Sequence, residues 1–407
     1  MKQTLLYAAL FCFAISAIAQ DKLVGGDISM LPKYEAAKVK YTDKNNQAIP
    51  DLINYFRDEA GYNIARVRLF VTPKGTTGVV QNLAYVTTLS KRIKEAGLKL
   101  MLDFHYSDTW ADPSNQWTPA VWTSLTESQL ADTIYTYTKR VLSTLAAEGA
   151  TPDYIQTGNE ISYGMLWGPE GTQTYRCYYN NDANWGRFCK LLSQAGKACR
   201  EVCPDAKIII HTERTNNWTG TKSIYDRLAS VDYDIIGLSY YPEWHNDLNS
   251  LTNTLTNLHT NFADKPIMIV ETGYFNNWYN DKATYNFTST WSASPAGQKK
   301  FLDELVETVK DLDYMIGIVY WFPEENPYNN HVYEPWYNHG LFNPNTGKVS
   351  DALFSLKALR GETSDIPMNT NNEISNGKIY SIMGQEVADC QNLPHGIYIQ
   401  NGKKIIR

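Results

Sequence analysis

The 407-residue sequence predicts a (β/α)8 TIM barrel with a short β-rich C-terminal tail. Short apolar runs recur eight times between residues 23 and 322, helical patterns separate them, and the runs are near-continuous rather than alternating. A strand whose two faces are both covered is apolar on both, as in a parallel sheet. Strands separated by helices of this length read as βα units, and eight such units argue for closure rather than an open sheet.

The strands fall at 23–28, 65–70, 99–106, 154–160, 207–213, 233–242, 266–273 and 314–322. The helices between them fall at 50–60, 83–96, 127–148, 184–202, 223–229, 248–262 and 296–312, and a last one at 351–359 follows the eighth strand. Gly61 and Gly97 stand where the first two helices need a left-handed terminal residue. The long segments 107–125, 161–183 and 323–350 follow strands, so they belong to the rim where such barrels place their chemistry. Loops of that length usually build a site. They carry Trp110, Trp117, Trp122, Trp167 and Trp336, some to pin the loops and some to face a ligand.

Residues 1–19 read as an export signal: Lys2, an apolar stretch over 5–15, and the small-x-small triplet Ala17-Ile18-Ala19. The barrel then occupies 20–361, a polar linker 362–376, and the tail 377–407. No later stretch approaches the ~20 apolar residues of a membrane span. The expected location is the periplasm, the cell surface or the medium of a Gram-negative bacterium, and a monomer is expected. A net charge of -6 without a basic patch gives no reason to expect nucleic acid. Five cysteines remain after the signal, namely Cys177, Cys189, Cys199, Cys203 and Cys390. An odd number leaves at least one unpaired, and buried free thiols are the expected reading.

Two strands end in glutamate, YIQTGNE at 154–160 and IMIVETG at 267–273. Strands four and seven face each other over a barrel's cleft. Hydrolysis of a glycosidic bond needs one carboxyl to protonate the leaving oxygen and another to capture or stabilise the sugar cation, at about 5–5.5 Å for retention and wider for inversion. Glu160 and Glu271 are therefore the catalytic candidates. Asn159 is placed to bond a ring hydroxyl. Arg66 and Arg68 alternate on the second strand and share a face, and a guanidinium inside a barrel needs an anionic partner. Either could hold Glu271 ionised, with Tyr240 orienting it. His105, His211, Glu213, Tyr240, Tyr241 and Trp321 end other strands, and Trp321 could floor the cleft beneath a pyranose. Asp108, Trp110, Trp117 and Trp167 come from the rim loops as candidate substrate contacts. Asp27 and Asp103 are read as supporting carboxylates. No metal-binding cluster is evident.

The ordered segments GGDISMLPKYE (25–35), ARVRLFVTP (65–73), LDFHYSDTWADPSNQWTP (102–119), QTGNEISYGMLW (156–167), GLSYYPEWH (237–245), IVETGYF (269–275) and GIVYWFPE (317–324) resemble glycoside hydrolase family 53, the endo-β-1,4-galactanases of a large clan of retaining barrels. The resemblance covers roughly 23–360. It implies cleavage of the β-1,4-galactan of type I arabinogalactan in pectin, with Glu160 as acid/base, Glu271 as nucleophile, and galactan or galacto-oligosaccharides as partners. No cofactor is implied for the reaction. Members often hold a structural calcium after strands seven and eight; Asp281, Glu324, Glu325, Asn326 and Asn330 are oxygen donors there, without a recognisable ligand order. The tail resembles the end of the C-terminal sorting domains of Bacteroidetes-type secreted proteins, though shorter. Two other readings stand beside this one: another retaining barrel of the clan, such as a β-mannanase or cellulase, and a glycan-binding barrel without catalysis.

Overall fold

The computed structural model describes residues 21–361 except 77, 179 and 328–337, and four short strands beyond them. The expected signal, the linker, Trp336, Asn330 and Cys390 lie outside the described residues. Eight parallel strands close in sequence order: Leu23–Asp27 (β1), Ile64–Leu69 (β2), Lys99–Phe104 (β3), Tyr154–Gln156 (β4), Lys207–Thr212 (β5), Ile235–Tyr240 (β6), Ile267–Thr272 (β7) and Met315–Trp321 (β8). The seam pairs β1 with β8 and sets Asp27 beside both Arg66 and Trp321.

The helices are Leu31–Ala36 (α1), Leu52–Asp58 (α2), Leu83–Glu95 (α3), Glu127–Ala147 (α4), Asp182–Val202 (α5), Trp218–Arg227 (α6), Pro242–His245 (α7), Leu248–Asn261 (α8) and Pro295–Val309 (α9). Polar residues start most of them by accepting a free backbone N–H: Asp51 from Asn54, Asn82 from Tyr85, and Thr126 in a reciprocal box with Gln129. The sixth helix begins five residues before its expected start because Asn217 caps it through Gly220. The short α7 was not expected; it turns the chain just after β6. The last helix, Asp351–Arg360, is wound as a 3₁₀ helix.

Two apolar layers hold the barrel. The larger lies between strands and helices. The smaller fills the barrel's interior near the strand starts, with Leu23, Ile64, Met101, Tyr154, Ile209, Ile235, Met268, Val270 and Val319. Successive strand residues point to opposite faces. Two residues on from this plug, the same inward face carries Arg66, Asp103, Gln156, His211 and Trp321. The interior is thus oily at one end and polar at the other, which puts the polar groups at the strand C-termini. Gly25 lets β1 approach β2, since a Cβ there would stand 1.9 Å from the Ile64 carbonyl oxygen.

Beyond 363 a second compact unit contains Ile379–Ser381 (β9), Glu386–Val387 (β10), Ile397–Gln400 (β11) and Lys403–Ile406 (β12), an antiparallel sheet in the order β10-β9-β11-β12. Two or three strands were expected there; four are described, and the last expected run holds two of them, β11 and β12, paired antiparallel. No helix among the described residues is long and apolar enough to cross a membrane. Cys177, Cys199 and Cys203 are buried free thiols and Cys189 a half-buried one.

Candidate active site

Arg66 organises the polar end of the barrel. It is 1% exposed. Its Nε donates to Gln156 Oε1 at 2.8 Å and its Nη1 to Asp27 Oδ2 at 2.8 Å. Its Nη2 reaches Asp103 Oδ2 at 2.9 Å, Asn159 Oδ1 at 2.7 Å and Glu271 Oε2 at 3.2 Å. A charge this deep is tolerated only when paired and hydrogen-bonded. Burial would lower the arginine's pKa, but Asp103, Glu271 and Asp27 more than offset it. Burial likewise would raise Asp103, yet Arg66 and His105 hold it down at about 2. His105 accepts the Ala111 N–H on Nδ1 at 3.1 Å, which leaves its proton on Nε2, 3.1 Å from Asp103.

Glu271 owes its direction to a bulge. Met268 and Val270 belong to the interior plug, so strict alternation would send Glu271 out towards the helices. The β7–β8 register slips between Ile269 and Thr272, and β6 pairs Ser239 with Glu271 directly after Leu238 with Ile269. A bulge re-aims a side chain, and Glu271 lines the cleft. Tyr241 donates its hydroxyl to Glu271 Oε1 at 2.9 Å. Burial raises the Glu271 carboxyl to about 7, against the pull of Arg66 and Tyr241.

Glu160 lies four residues beyond the end of β4, with φ at +48°. This left-handed conformation is costly for a residue with a side chain and marks a position the surroundings enforce. Ser239 Oγ donates to Glu160 Oε1 at 2.5 Å. Behind it, His211 Nε2 stands 2.8 Å from Ser239 Oγ, while His211 Nδ1 faces the Gln156 amide nitrogen at 3.0 Å. Burial and Arg66 push the His211 pKa well below its usual value. A neutral ring therefore donates from Nε2 to the serine and accepts on Nδ1, so Ser239 gives its own proton to Glu160. Among the described residues no cation forms an ion pair with Glu160, unlike Glu271 with Arg66. Burial, Glu271 and Glu213 push its pKa well up. Ser239 is the register partner of Glu271 and the hydrogen-bond partner of Glu160, so one strand position ties the two carboxyls together.

Both glutamates open into one cleft of about 690 Å³, lined also by His105, Trp110, Trp117, Asn159, Tyr241, Trp244 and Trp321. Such a volume suits a site for a small ligand or a few sugar units.

A family model, Glycosyl hydrolase family 53, matches residues 23–359. The chain belongs to that family. A probable arabinogalactan endo-β-1,4-galactanase A of Neosartorya fischeri is 36% identical over 330 residues, covering 77% of this chain and 88% of the relative. Among solved structures, the GH53 catalytic domain of Ignisphaera aggregans superposes with a TM-score of 0.74 at 30% identity, covering 83% of this chain and 96% of that domain. A fungal β-1,4-galactanase structure gives 0.70 at 29%, over 83% and 99%. The chain is accordingly a glycoside hydrolase.

The family 53 barrel gathers most of the residues singled out from sequence and relocates four. Glu160, Glu271, Asn159, Arg66, His105, Trp110, Trp117 and Trp321 line the cleft, and His211 stands behind it. Arg68 does not reach Glu271. It bonds Asp27 Oδ1 at 3.0 Å and stacks between Trp110 and Phe322, at 4.6 and 4.8 Å from the ring centres. Tyr240 points to the helix layer, where its ring stacks on Phe301 and its hydroxyl donates to the Asn246 carbonyl; Tyr241 takes the expected role. Trp167 is fully buried and donates to the Tyr163 carbonyl, supporting Trp117 edge-on rather than meeting substrate. Asp108 pins its loop by accepting the Thr72 and Ala120 N–H groups at 2.8 and 2.9 Å. The carboxamide of Asn159 is engaged by Arg66 and the Ala111 carbonyl. Ser239, Gln156 and Trp244 were missed. The signal for Ser239 was its parity with Gly237 on β6 and with Tyr241 just beyond it.

Among the described residues, no group of three or more His, Cys, Asp or Glu is placed to hold a metal. Of the expected calcium donors, Glu324 accepts the Met30 N–H, Asn326 donates to the Lys40 carbonyl, and Asp281 is exposed. These described donors do not form one cage.

Asp27 tests the network. It is wholly buried and pairs with both Arg66 and Arg68. Asp27→Ala is expected to lower stability by about 3–5 kcal/mol, because it strands buried charge. Urea unfolding followed by tryptophan fluorescence measures it; a loss under about 1 kcal/mol shows the network relaxes without this carboxylate.

Proposed function

We propose that the chain cuts β-1,4-galactan internally, with retention, through Glu160 as acid/base and Glu271 as nucleophile. The observation that carries the reading is the unequal environment of two carboxyls in one cleft of a family 53 barrel. Glu271 has Arg66 and Tyr241 on its oxygens; Glu160 has the Ser239 hydroxyl and faces other carboxylates. Two titratable groups with environments that push them apart divide the acid and base roles. The shared proton then resides on Glu160, and Glu271 meets the anomeric carbon as a carboxylate. Glu160 protonates the departing oxygen, and a covalent glycosyl-enzyme forms on Glu271. Glu160, now ionised, takes a proton from the water that releases the sugar. Activity therefore falls as pH drops and Glu271 gains a proton, and falls again at higher pH as Glu160 loses its own.

Trp110, Trp117, Trp244 and Trp321 offer flat apolar surfaces to pyranose faces along the cleft. The axial 4-hydroxyl of galactose bends a β-1,4 chain, and platforms contributed from three places on the rim, the segment after β3, α7 and the end of β8, suit a curved path. We further propose that the reaction uses no cofactor, that any calcium is structural, and that the barrel at 20–361 is a catalytic domain acting as an exported monomer away from nucleic acid and membrane interior. The neighbours favour galactan over mannan or glucan.

The reading is tested on a polysaccharide panel with viscosity and product sizing. Galactan viscosity should fall early, with oligomers as first products. Galactose alone from the first minutes, or cleavage confined to mannan or cellulose, would falsify it.

A further inference from the structure

Glu213 is a third carboxyl in the cleft, one residue beyond the end of β5. It is 8% exposed. Ser162, two residues after Glu160, donates to Glu213 Oε2 at 2.5 Å. The position of Glu213 is thus locked to the segment that carries Glu160. The neighbouring Arg214 sends its guanidinium to the Tyr163 hydroxyl at 3.2 Å. Among the described residues, the charged or titratable groups near Glu213 include Arg214 beside it, Glu160 on the β4 rim, Asp112 on the β3 rim and Tyr225 of α6. The carboxyl is held by the Ser162 hydroxyl and its own backbone N–H, and it still lines the cleft, where a carboxyl oxygen can accept a further hydrogen bond.

We infer that Glu213 binds the sugar unit that departs with the leaving oxygen, by accepting a hydrogen bond from one of its free hydroxyls. The inference rests on the proposed role of Glu160. Arg66 is on β2, Glu160 follows β4 and Glu213 follows β5, in the barrel order β2-β3-β4-β5. Glu213 accordingly flanks Glu160 on the side of β5, away from β2, where its bond to Ser162 holds it. The acid stands over the oxygen it protonates, so the ring attached to that oxygen extends past Glu160 towards Glu213. In a β-1,4-galactan the oxygen is O4, and the hydroxyls nearest it are those on C3 and C6. Each is a donor; burial raises the Glu213 carboxyl to about 7, so it accepts as a carboxylate above that pH and through its carbonyl oxygen below it, and the pairing needs no proton transfer.

Two variants of the full chain, Glu213→Ala and Glu213→Gln, test this with two substrates. Galactotetraose fills the leaving-group side with a sugar; an aryl β-galactobioside puts a hydroxyl-free ring there. Loss of a hydrogen bond to a charged group corresponds to a fall of roughly 10- to 100-fold in kcat/KM. That fall is expected for galactotetraose with Glu213→Ala, mostly in KM, with aryl galactobioside cleavage within about twofold of the parent. Glu213→Gln retains the bond to Ser162 and the volume, so it guards against a folding defect; it should lose less on galactotetraose. In both variants the alkaline limb of kcat/KM should move to lower pH, because a like charge beside Glu160 is gone. Equal losses on both substrates would make Glu213 a loop support, and no loss on either would give it no role; each overturns the inference. A parent chain that leaves galactan intact overturns the reading on which this rests, a result separable from both.

Discussion

Glu160→Gln should lower turnover on galactan by roughly 10³-fold, the range in which a general acid acts. The substitution keeps the shape and still accepts from Ser239, whose hydroxyl lies 2.5 Å from the present carboxyl. What it removes is the proton that burial, Glu271 and Glu213 hold on this group. Aryl galactosides with good leaving groups depart with little protonation and should lose far less. The alkaline limb of the pH profile should vanish with the variant, since no group at that position remains to ionise. Equal losses on both substrates, with the limb intact, would move the acid elsewhere.

Glu271→Ala should cost about 10⁴-fold or more, as loss of a nucleophile does. The variant empties the space between Arg66 and Tyr241, which held the two carboxylate oxygens at 3.2 and 2.9 Å. A small anion such as azide fits where the carboxylate was and faces the same guanidinium. Added azide should restore part of the turnover on an activated aryl galactoside, and the product should be the α-galactosyl azide, inverted at the anomeric carbon. Proton NMR of the product reads the configuration. Near-normal activity in the unrescued variant would remove Glu271 from the mechanism.

The barrel was legible because its strands are apolar on both faces and each is followed by a helix of suitable length. The two glutamates were legible because each ends such a run. Side-chain direction was harder. Alternation put Arg66 and Arg68 on one face, and both do point inward, but only distances separate the arginine that reaches Glu271 from the one that reaches Asp27. Strict alternation pointed Glu271 away from the cleft, because the bulge on β7 leaves no mark in composition, whereas parity with the inward Ile235 selects Tyr241 over Tyr240. Trp167 and Asp108 look like cleft residues in sequence since they sit in rim loops; their partners, the Tyr163 carbonyl and the Thr72 and Ala120 N–H groups, belong to the folding of the loops themselves. Trp244 was hidden within the motif that follows β6, where no helix was expected.

The seam between first and last strands has a consequence for when the enzyme exists at all. Asp27 comes from β1, lies beside Trp321 of β8, and anchors the arginine that supports Glu271. A ribosome makes these two strands almost 300 residues apart. Until the last strand is made and docks, the first has no second neighbour, and the sheet that carries Arg66 with its partners Asp27 and Asp103 stays open beside Glu271. A half-made chain therefore already carries Glu160 without a working partner. Hydrolytic power is expected to switch on with circularisation of the sheet, once the eighth strand has joined the first.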